Sequence, residues 1–221
     1  MEIDILILRL KSNRNMKING AKLRGYFATA YNDRKLFHHH DGDSFIYRYP
    51  LVQYKVIGKT PTIVAIQEGV KEVTSLYADM NSIMIDSTRY DVYEKSMAIK
   101  KQEIGESDKF FHYRFITPWF ALNQKNYRSY RELSSRAEKE EFLSGILVGN
   151  ILSLSKSLGY TVRKRLKCAI NVKSRGSMLK NVKIMVFSGK FAVNFRLPDY
   201  IGLGKSVSRG FGTIKRLEQC N

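Results

Sequence analysis

The segment EIDILILRL at residues 2–10 alternates apolar and polar side chains closely enough to predict a β-strand. Asn19 follows at a position suited to an N-cap, which predicts a helix that continues to about Tyr31. The stretch FIYRYPLVQYKVI at residues 45–57 is rich in β-branched and aromatic residues and predicts another strand, in which Pro50 indicates an edge or a bulge. The chain therefore begins with a strand, a helix and a further strand.

The remaining segments extend this order and then repeat it. In the first half the pattern predicts strands at 62–67, 82–86 and 91–100, and a helix at 68–79. Beyond a joint at Gly105–Asp108 it predicts strands at 109–117, 166–173, 179–187, 190–196 and 212–217, and helices at about 124–133 and 137–158. Because each half contains a strand, a helix and then several strands, we predict an α+β fold with antiparallel sheets. Tandem ferredoxin-like domains at residues 1–105 and 106–221 fit this order.

Charge is distributed unevenly between the two halves. Residues 1–105 hold 16 basic and 12 acidic residues, whereas residues 106–221 hold 22 and 8, within a total net charge of +18. No acidic residue occurs between Glu141 and Asp199, although eleven Lys and Arg do. A solvated face normally mixes both signs, so this segment predicts a polyanionic partner, with nucleic acid first and an anionic membrane surface second.

Cysteine content and hydropathy argue against a disulfide-rich, a zinc-binding and a membrane-spanning protein. Cys168 and Cys220 are too few for a disulfide framework and lack the C-x-x-C spacing of a zinc site. No apolar run reaches the length of a membrane-spanning helix, and the N-terminus carries acids where a signal peptide would carry bases. We therefore predict a cytoplasmic protein without a membrane partner.

Three of the four histidines stand together at residues 38–40. Histidine accepts and donates protons near neutral pH, and RNA cleavage needs one group to take the 2′-hydroxyl proton and another to protonate the leaving 5′-oxygen. In an extended chain His38 and His40 point to the same side, and Lys35 and Tyr47 lie nearby in sequence. Two alternatives stay open: the run could bind a metal, or its histidines could have only a structural role.

A glycine-rich segment at residues 201–214 is the second candidate site. Its glycines would let the backbone approach a phosphate closely, and its Lys, Ser and Arg side chains add donors. The candidate RNA-binding residues are Gly202, Gly204, Lys205, Ser206, Arg209, Gly210 and Gly212. A P-loop is excluded, because Asp199 occupies the place of the first motif glycine and too little chain follows. A glycine-rich hairpin without a ligand stays open.

A basic segment in the second half is the third candidate site. Its candidate RNA-binding residues are Arg163, Lys164, Arg165, Lys167, Lys173 and Arg175. Basic side chains on a strand and its loop suit contact with an RNA backbone. The alternative is a solvated sheet edge on which lysines prevent pairing with another strand.

Separate stretches of the chain together resemble one family. LRGYF at 23–27, HHH at 38–40 and YRYPLVQYKVI at 47–57 resemble the N-terminal half of CRISPR repeat-processing endoribonucleases, specifically the b subgroup of the Cas-six nucleases. Gly202–Gly204 and Gly210–Gly212 resemble the glycine-rich loop of the wider RAMP superfamily. The first match is quite specific, the second is not, and together they bracket nearly the whole chain.

The resemblance implies tandem ferredoxin-like domains, precursor CRISPR RNA as the substrate, and no metal or other cofactor. It implies attack by the 2′-hydroxyl, which leaves a 2′,3′-cyclic phosphate and a 5′-hydroxyl. His40 and His38 are implied as the general acid and base, in an order that the sequence does not assign. Tyr47 would orient the phosphate or donate a proton, and Lys35 would stabilise charge.

The expected partner is CRISPR repeat RNA, both as precursor and as product. The sequence leaves open whether the protein also contacts other CRISPR effector subunits or forms a homodimer. An alternative from a different class is a catalytically inactive RNA-binding RAMP subunit of an effector complex, but the histidine cluster favours the nuclease because binding alone needs no proton-transfer pair. A DNA-binding or membrane-surface protein is disfavoured, since no helix-turn-helix pattern or basic amphipathic helix is present.

Overall fold

A computed structural model describes residues 1–16, 18–31, 40–41, 44–45 and 49–218. The chain divides into two compact units. The N-terminal unit consists of Glu2–Gln102 together with Val207–Gly210, and the C-terminal unit consists of Met1, Glu103–Ser206 and the described residues from Phe211 onward. Each unit has its own antiparallel sheet.

The N-terminal unit is built on a five-stranded sheet. Its elements are β1 (Glu2–Ser12), α1 (Gly20–Ala30), β2 (His40–Asp41), β3 (Ser44–Phe45), β4 (Val52–Ile57), β5 (Thr60–Ile66), α2 (Glu68–Ser75), β6 (Ser82–Ile85) and β7 (Thr88–Glu103). The strand order in the sheet is β4-β5-β1-β7-β6, and β2 and β3 form a separate two-stranded hairpin. The first strand therefore lies in the middle of the sheet, which agrees with its strongly apolar sequence.

The core of this unit joins β1 to α1 and β4. Leu6 of β1 is fully buried, as are Phe27 of α1 and, nearly so, Tyr54 of β4. The Phe27 and Tyr54 rings stack with centroids 5.3 Å apart. Asn19 caps α1, because its side-chain oxygen accepts a hydrogen bond from the Lys22 N–H at 2.9 Å. The predicted N-cap is therefore confirmed.

The C-terminal unit is built on a four-stranded sheet. Its elements are β8 (Gly105–Phe115), α3 (Gln124–Glu132), α4 (Arg136–Ser157), β9 (Cys168–Leu179), β10 (Val182–Arg196) and β11 (Ile214–Arg216). The strand order is β11-β8-β10-β9. α4 begins with a capping box between Ser135 and Glu138 and packs against β9. Its buried apolar residues recur at helical spacing: Leu143, Leu147, Ile151 and Leu154.

The long hairpin of β9 and β10 differs from the sequence-based expectation. Strands were expected at 179–187 and 190–196, but Val182–Arg196 is one continuous strand, and its residues 182–193 pair with β9 without interruption. The turn is Lys180–Asn181, where both residues have positive φ, as a two-residue type I′ hairpin turn requires. Gly189 lies inside the strand opposite Val172. Glycine is needed there because a Cβ would lie 2.8 Å from the Val172 Cα.

Both sheets follow one topological rule. The four principal strands of each unit lie in the order fourth, first, third, second: β7-β1-β5-β4 in the N-terminal unit and β11-β8-β10-β9 in the C-terminal unit. This is the ferredoxin-like strand order, with α1 and α2 between strands of the N-terminal unit and α3 and α4 between β8 and β9 of the C-terminal unit. The predicted α+β fold with tandem ferredoxin-like domains is therefore confirmed.

Candidate active site and RNA interface

The histidine segment follows α1 in the chain and precedes β4. Its described backbone forms the β2–β3 hairpin, in which His40 pairs with Phe45. His38, Lys35 and Tyr47 lie outside the described residues, and so does the side chain of His40. The catalytic roles of these four residues therefore stay predictions.

The first part of the glycine-rich segment belongs to the C-terminal unit and is closely packed. Gly204 has a φ of 90°, and a Cβ there would lie 2.5 Å from the Trp119 Nε1. Gly212 has a φ of 66° and lies against the backbone of Leu203, whose N–H donates to the Gly212 carbonyl at 2.9 Å. Gly202 is buried. These glycines allow close chain packing, and their contact with phosphate stays a prediction.

The middle of the same segment, Val207–Gly210, belongs to the N-terminal unit. It forms a short 3₁₀ turn against α1 and β4. A Cβ on Gly20 would lie 2.6 Å from the Arg209 carbonyl oxygen, and one on Gly210 would lie 3.0 Å from the Tyr54 carbonyl oxygen. Because only glycine permits this approach at position 20, the sequence places Arg209 beside the first helix.

Arg24 lies one turn along α1 from Gly20 and interacts with Arg209. Both residues are partly buried. Burial first, and then the positive charge of Arg209, lowers the pKa of Arg24. Within the described ranges neither guanidinium forms a salt bridge with an acid. Two guanidiniums without a carboxylate favour an anion such as phosphate. Sequence reasoning named Arg209 but missed Arg24, because the helical pattern alone does not show which residue will face it.

Two neighbouring polar residues of β4 are also buried. The Tyr54 hydroxyl has no hydrogen-bond partner in the described part of the chain, and burial raises the pKa of Tyr54. Lys55 is 0% exposed, and burial lowers the pKa of its ammonium group to about 7. Successive residues of a strand face opposite sides, so these side chains lie on opposite faces of the sheet. Neither was predicted as a site residue.

Arg163 and Lys164 are held by acids on β8. Both backbone N–H groups donate to the Glu106 carboxylate. The bond from Lys164 is the main cause that lowers the pKa of Glu106. The Lys164 Nζ lies 2.8 Å from the Asp108 Oδ1, and this hydrogen bond raises the pKa of Lys164. The ammonium of Lys164 is thus already paired, whereas the side chain of Arg163 is exposed.

Asn194 of β10 holds the next part of the basic segment. Its side-chain N–H donates to the Arg165 carbonyl at 3.2 Å, and its side-chain oxygen accepts from the Lys167 N–H at 2.6 Å. Arg165 and Lys167 are exposed and line, together with Lys164, a cavity of about 640 Å³ beside α4. The structure therefore brings these three predicted residues together.

Arg175 and Lys205 come from different predicted segments but line one cavity of about 870 Å³. Lys183 and Lys125 line it as well. Neither Lys183 nor Lys125 was among the site residues predicted from the sequence. Lys173 lies two residues before Arg175 on β9 and lines a different cavity of about 480 Å³. The predicted RNA-binding residues thus occupy several separate surfaces.

Within the described residues, no group of three or more His, Cys, Asp and Glu side chains could hold a metal ion. No helix in that part of the chain is long and apolar enough to cross a membrane. The remaining histidine, His112, is exposed on β8 and lies opposite Ala192 of β10. It belongs to none of the predicted sites.

Two family models match the chain in succession. The Cas6b N-terminal domain matches residues 1–103, and the Cas6b C-terminal domain matches residues 105–217. The chain belongs to the Cas6b family. The family that the histidine and glycine motifs predicted is therefore confirmed.

Solved structures and curated proteins agree with the Cas6b assignment. A crystal structure of Cas6b is similar with a TM-score of 0.90 and 38% identity, covering 98% of this chain and 100% of that one. A crystal structure of the CRISPR RNA processing endoribonuclease Cas6b is similar with a TM-score of 0.78 and 37% identity, over the same shares of both chains. An uncharacterized protein of Methanocaldococcus jannaschii is 43% identical over 136 residues, which are 59% of this chain and 88% of that protein.

Proposed function

We propose that this chain is an endoribonuclease that binds precursor CRISPR RNA and cuts it within the repeat. One observation carries the proposal: the chain is similar along 98% of its length, at 37% identity, to a CRISPR RNA processing endoribonuclease of the Cas6b family. The excess of basic residues in the second half supports an RNA partner. The proposal retains the cytoplasmic location predicted from the sequence.

The proposed reaction needs no metal. A general base takes the proton of the 2′-hydroxyl, and the resulting oxygen attacks the adjacent phosphorus. The bond from phosphorus to the 5′-oxygen breaks, and a general acid protonates that oxygen. The products are a 2′,3′-cyclic phosphate and a 5′-hydroxyl. His38 and His40 are proposed as acid and base, Tyr47 as the residue that orients the phosphate, and Lys35 as a stabilising charge.

Arg24 and Arg209 are proposed to hold a phosphate of the bound RNA. Support comes from their proximity, their partial burial and the absence of a salt bridge to any described acid. A guanidinium stays charged at all relevant pH values and bonds two phosphate oxygens at once. A phosphate between the two arginines would therefore relieve their mutual repulsion.

The exposed cations of the C-terminal unit are proposed to supply affinity. They are Arg163, Arg165, Lys167, Lys173, Arg175 and Lys205. Lys164 is expected to contribute less, because phosphate must compete with Asp108 for its ammonium. This part of the binding should weaken steeply with salt, since each phosphate contact releases condensed counterions.

The test uses the full chain and end-labelled repeat RNA from its own genomic locus, with EDTA present. A second RNA carries a single 2′-deoxy substitution at the mapped cut. The proposal expects one cut in the native RNA, no cut in the deoxy RNA, and a product that ends in a cyclic phosphate. Cleavage that requires an added metal would contradict the metal-independent mechanism, and tight binding without cleavage under any condition would favour the inactive RNA-binding subunit.

A further inference from the structure

The cavity of about 870 Å³ lies wholly within the C-terminal unit. Its lining comes from the start of α3 and the residues before it, from the β9–β10 hairpin, and from Lys205. All of its lining residues fall between Phe120 and Lys205. It is therefore separate from the histidine segment and from the Arg24–Arg209 pair.

Apolar side chains form much of the lining. Phe120, Ile184 and Met185 are partly buried there, while Tyr127 is 39% exposed and Val182 is 61% exposed. Large apolar groups left open to solvent within one concave surface indicate a binding site more than a folding requirement. Two of the lining residues, Phe120 and Tyr127, are aromatic, and aromatic rings are the groups on which a planar ligand stacks.

Positive charge surrounds this apolar lining. Lys125, Arg175, Lys183 and Lys205 all line the cavity, and its lining contains no Asp or Glu. The Lys205 Nζ lies 5.9 Å from the centroid of the Phe120 ring. Cations beside open aromatic and apolar groups match a ligand that combines a planar, weakly polar part with a negative charge.

A nucleotide has that composition, because its base is planar and its phosphate is anionic. Proteins that bind single-stranded nucleic acid use the same combination of aromatic platforms and cations. Asn123 and Gln124 also line the cavity; the Asn123 side-chain oxygen caps α3 by accepting from the Asn126 N–H at 2.7 Å, and Gln124 adds a second side-chain amide. A paired base is already stacked and hydrogen-bonded, so only an unpaired nucleotide could enter a concave site of this kind.

We propose that this cavity binds one unpaired nucleotide of the RNA, with the base against Tyr127 and Phe120 and the phosphate near Arg175 and Lys183. The inference deepens the proposed function, since the natural ligand would be a single-stranded part of the CRISPR RNA. It assigns the C-terminal unit a contact that distinguishes unpaired from paired RNA. The exposed cations alone, which meet only phosphates, would not make that distinction.

A larger residue at position 176 would fill the cavity without removing any side chain that lines it. Gly176 lines the cavity opposite Met185 in the sheet, and a Cβ built there meets nothing within 4 Å. Its φ is not positive, so a larger residue fits the backbone. Gly176→Trp should therefore occupy the space of the base while it leaves every cation in place. Tyr127→Leu removes an aromatic face instead, and Tyr93→Leu is the matched control, since Tyr93 is exposed on β7.

The experiment measures the affinity of the full chain by fluorescence anisotropy in EDTA, with two labelled probes. One probe is a single-stranded uridine 12-mer and the other is a blunt 12-base-pair RNA duplex. Gly176→Trp and Tyr127→Leu should each weaken single-strand binding by roughly tenfold, the size expected for loss of one stacked base. Duplex binding should change less than twofold, and Tyr93→Leu should match the wild-type protein with both probes. Equal losses for both probes, or none, would overturn the inference.

Two further measurements keep the test decisive. If the thermal midpoint shows that Gly176→Trp has not folded, Tyr127→Leu and its control Tyr93→Leu carry the test. Sedimentation follows the same variants, and a change of oligomeric state without a change in RNA affinity would assign the cavity to a protein contact and overturn the inference.

Failure of the inference can be separated from failure of the proposed function. If the wild-type protein cuts its repeat while the cavity variants bind both probes normally, the inference alone is wrong. If the wild-type protein never cuts, yet the cavity variants selectively lose the single strand, the proposed endoribonuclease is wrong and the cavity assignment stands.

Discussion

The two units share one strand order but present their polar residues differently. In the N-terminal unit, Arg24 is partly buried and Tyr54 and Lys55 are buried, in the region where Val207–Gly210 packs. In the C-terminal unit, the cations of β9 and of residues 163–167 are exposed. The same fold thus holds a few desolvated polar groups in one unit and many exposed charges in the other.

This difference in burial predicts that the N-terminal unit carries the chemistry and the C-terminal unit supplies the RNA affinity. Desolvated groups act strongly on a charge that develops at one point, which suits chemistry. Exposed cations act weakly and additively along a polyanion, which suits affinity and depends on salt. We therefore expect substitutions in the N-terminal unit to lower the RNA cleavage rate, and substitutions in the C-terminal unit to lower the RNA affinity.

The largest effect is expected at the histidines. His40→Ala should lower the single-turnover cleavage rate by about a thousandfold, because proton transfer in the transition state is worth that much. Repeat RNA affinity should stay within about twofold. His112→Ala is the matched control, since His112 is an exposed histidine of the C-terminal unit. Equal cleavage rates for the two variants would contradict the assignment of the chemistry to the N-terminal unit.

A smaller loss of rate is expected at the paired arginines. Arg24→Gln or Arg209→Gln should slow cleavage by about thirtyfold, because the phosphate loses one of two guanidinium donors. The double variant should lose less than the product of the two single losses, because the residues act on one group. Lys22→Gln on the same helix should cleave at the wild-type rate. Single-turnover rates at saturating protein measure these changes, and additive losses would argue against a shared phosphate.

The burial of Lys55 predicts that the stability of the protein depends on pH. The pKa of the Lys55 ammonium group is about 7 in the folded protein, against 10.5 for an ordinary lysine. Between these values the unfolded chain binds more protons, so the free energy of unfolding should rise with pH, by at most about 1.4 kcal/mol per pH unit. Below about pH 7 both states are charged and this contribution is flat. Urea unfolding of Lys55→Met from pH 7 to 9 should show a smaller slope than the wild-type protein, whereas Lys71→Met, an exposed change on α2, should keep the wild-type slope.

The smallest effects are expected for substitutions of neighbouring cations in the C-terminal unit, which should differ in their contribution to RNA affinity. Arg165→Gln should weaken repeat RNA binding by about threefold and reduce the slope of log affinity against log salt by about 0.7 to 0.9. Lys164→Gln should have a smaller effect because Asp108 holds its ammonium. Asp108→Asn should then strengthen binding, since it releases Lys164. A salt titration of affinity for the three variants measures this, and weaker binding by Asp108→Asn would show that the acid supports the interface.

Much of the fold follows from sequence pattern. The alternation in residues 2–10, the Asn19 cap and the apolar spacing in α4 act within one element, so their local physics suffices. Ser188–Gly189 shows where that fails. A glycine inside a strand and a glycine in a turn have the same sequence signal, and only the pairing with Val172 decides between them.

Sites depend on residues that meet from distant parts of the chain. Sequence reasoning found the basic segment, but it could not foresee that Asp108 pairs with Lys164 or that Glu106 binds the backbone beside it. It named Arg209 without Arg24, since their electrostatic interaction arises only when the chain returns to α1. It treated Gly204 and Gly212 as phosphate-binding glycines, although each also has a close backbone neighbour that explains the residue.

The assignment of Val207–Gly210 to the N-terminal unit has a consequence for fragment design. A protein truncated after Gln102 would contain α1 and β4 but would lack the turn that packs on them, so Gly20 and the Tyr54 carbonyl would face solvent. The two units cannot be expressed as independent halves by a single cut. A peptide that spans residues 205–212, added in trans to the fragment 1–102, would be the minimal complement for recovering a stable N-terminal half.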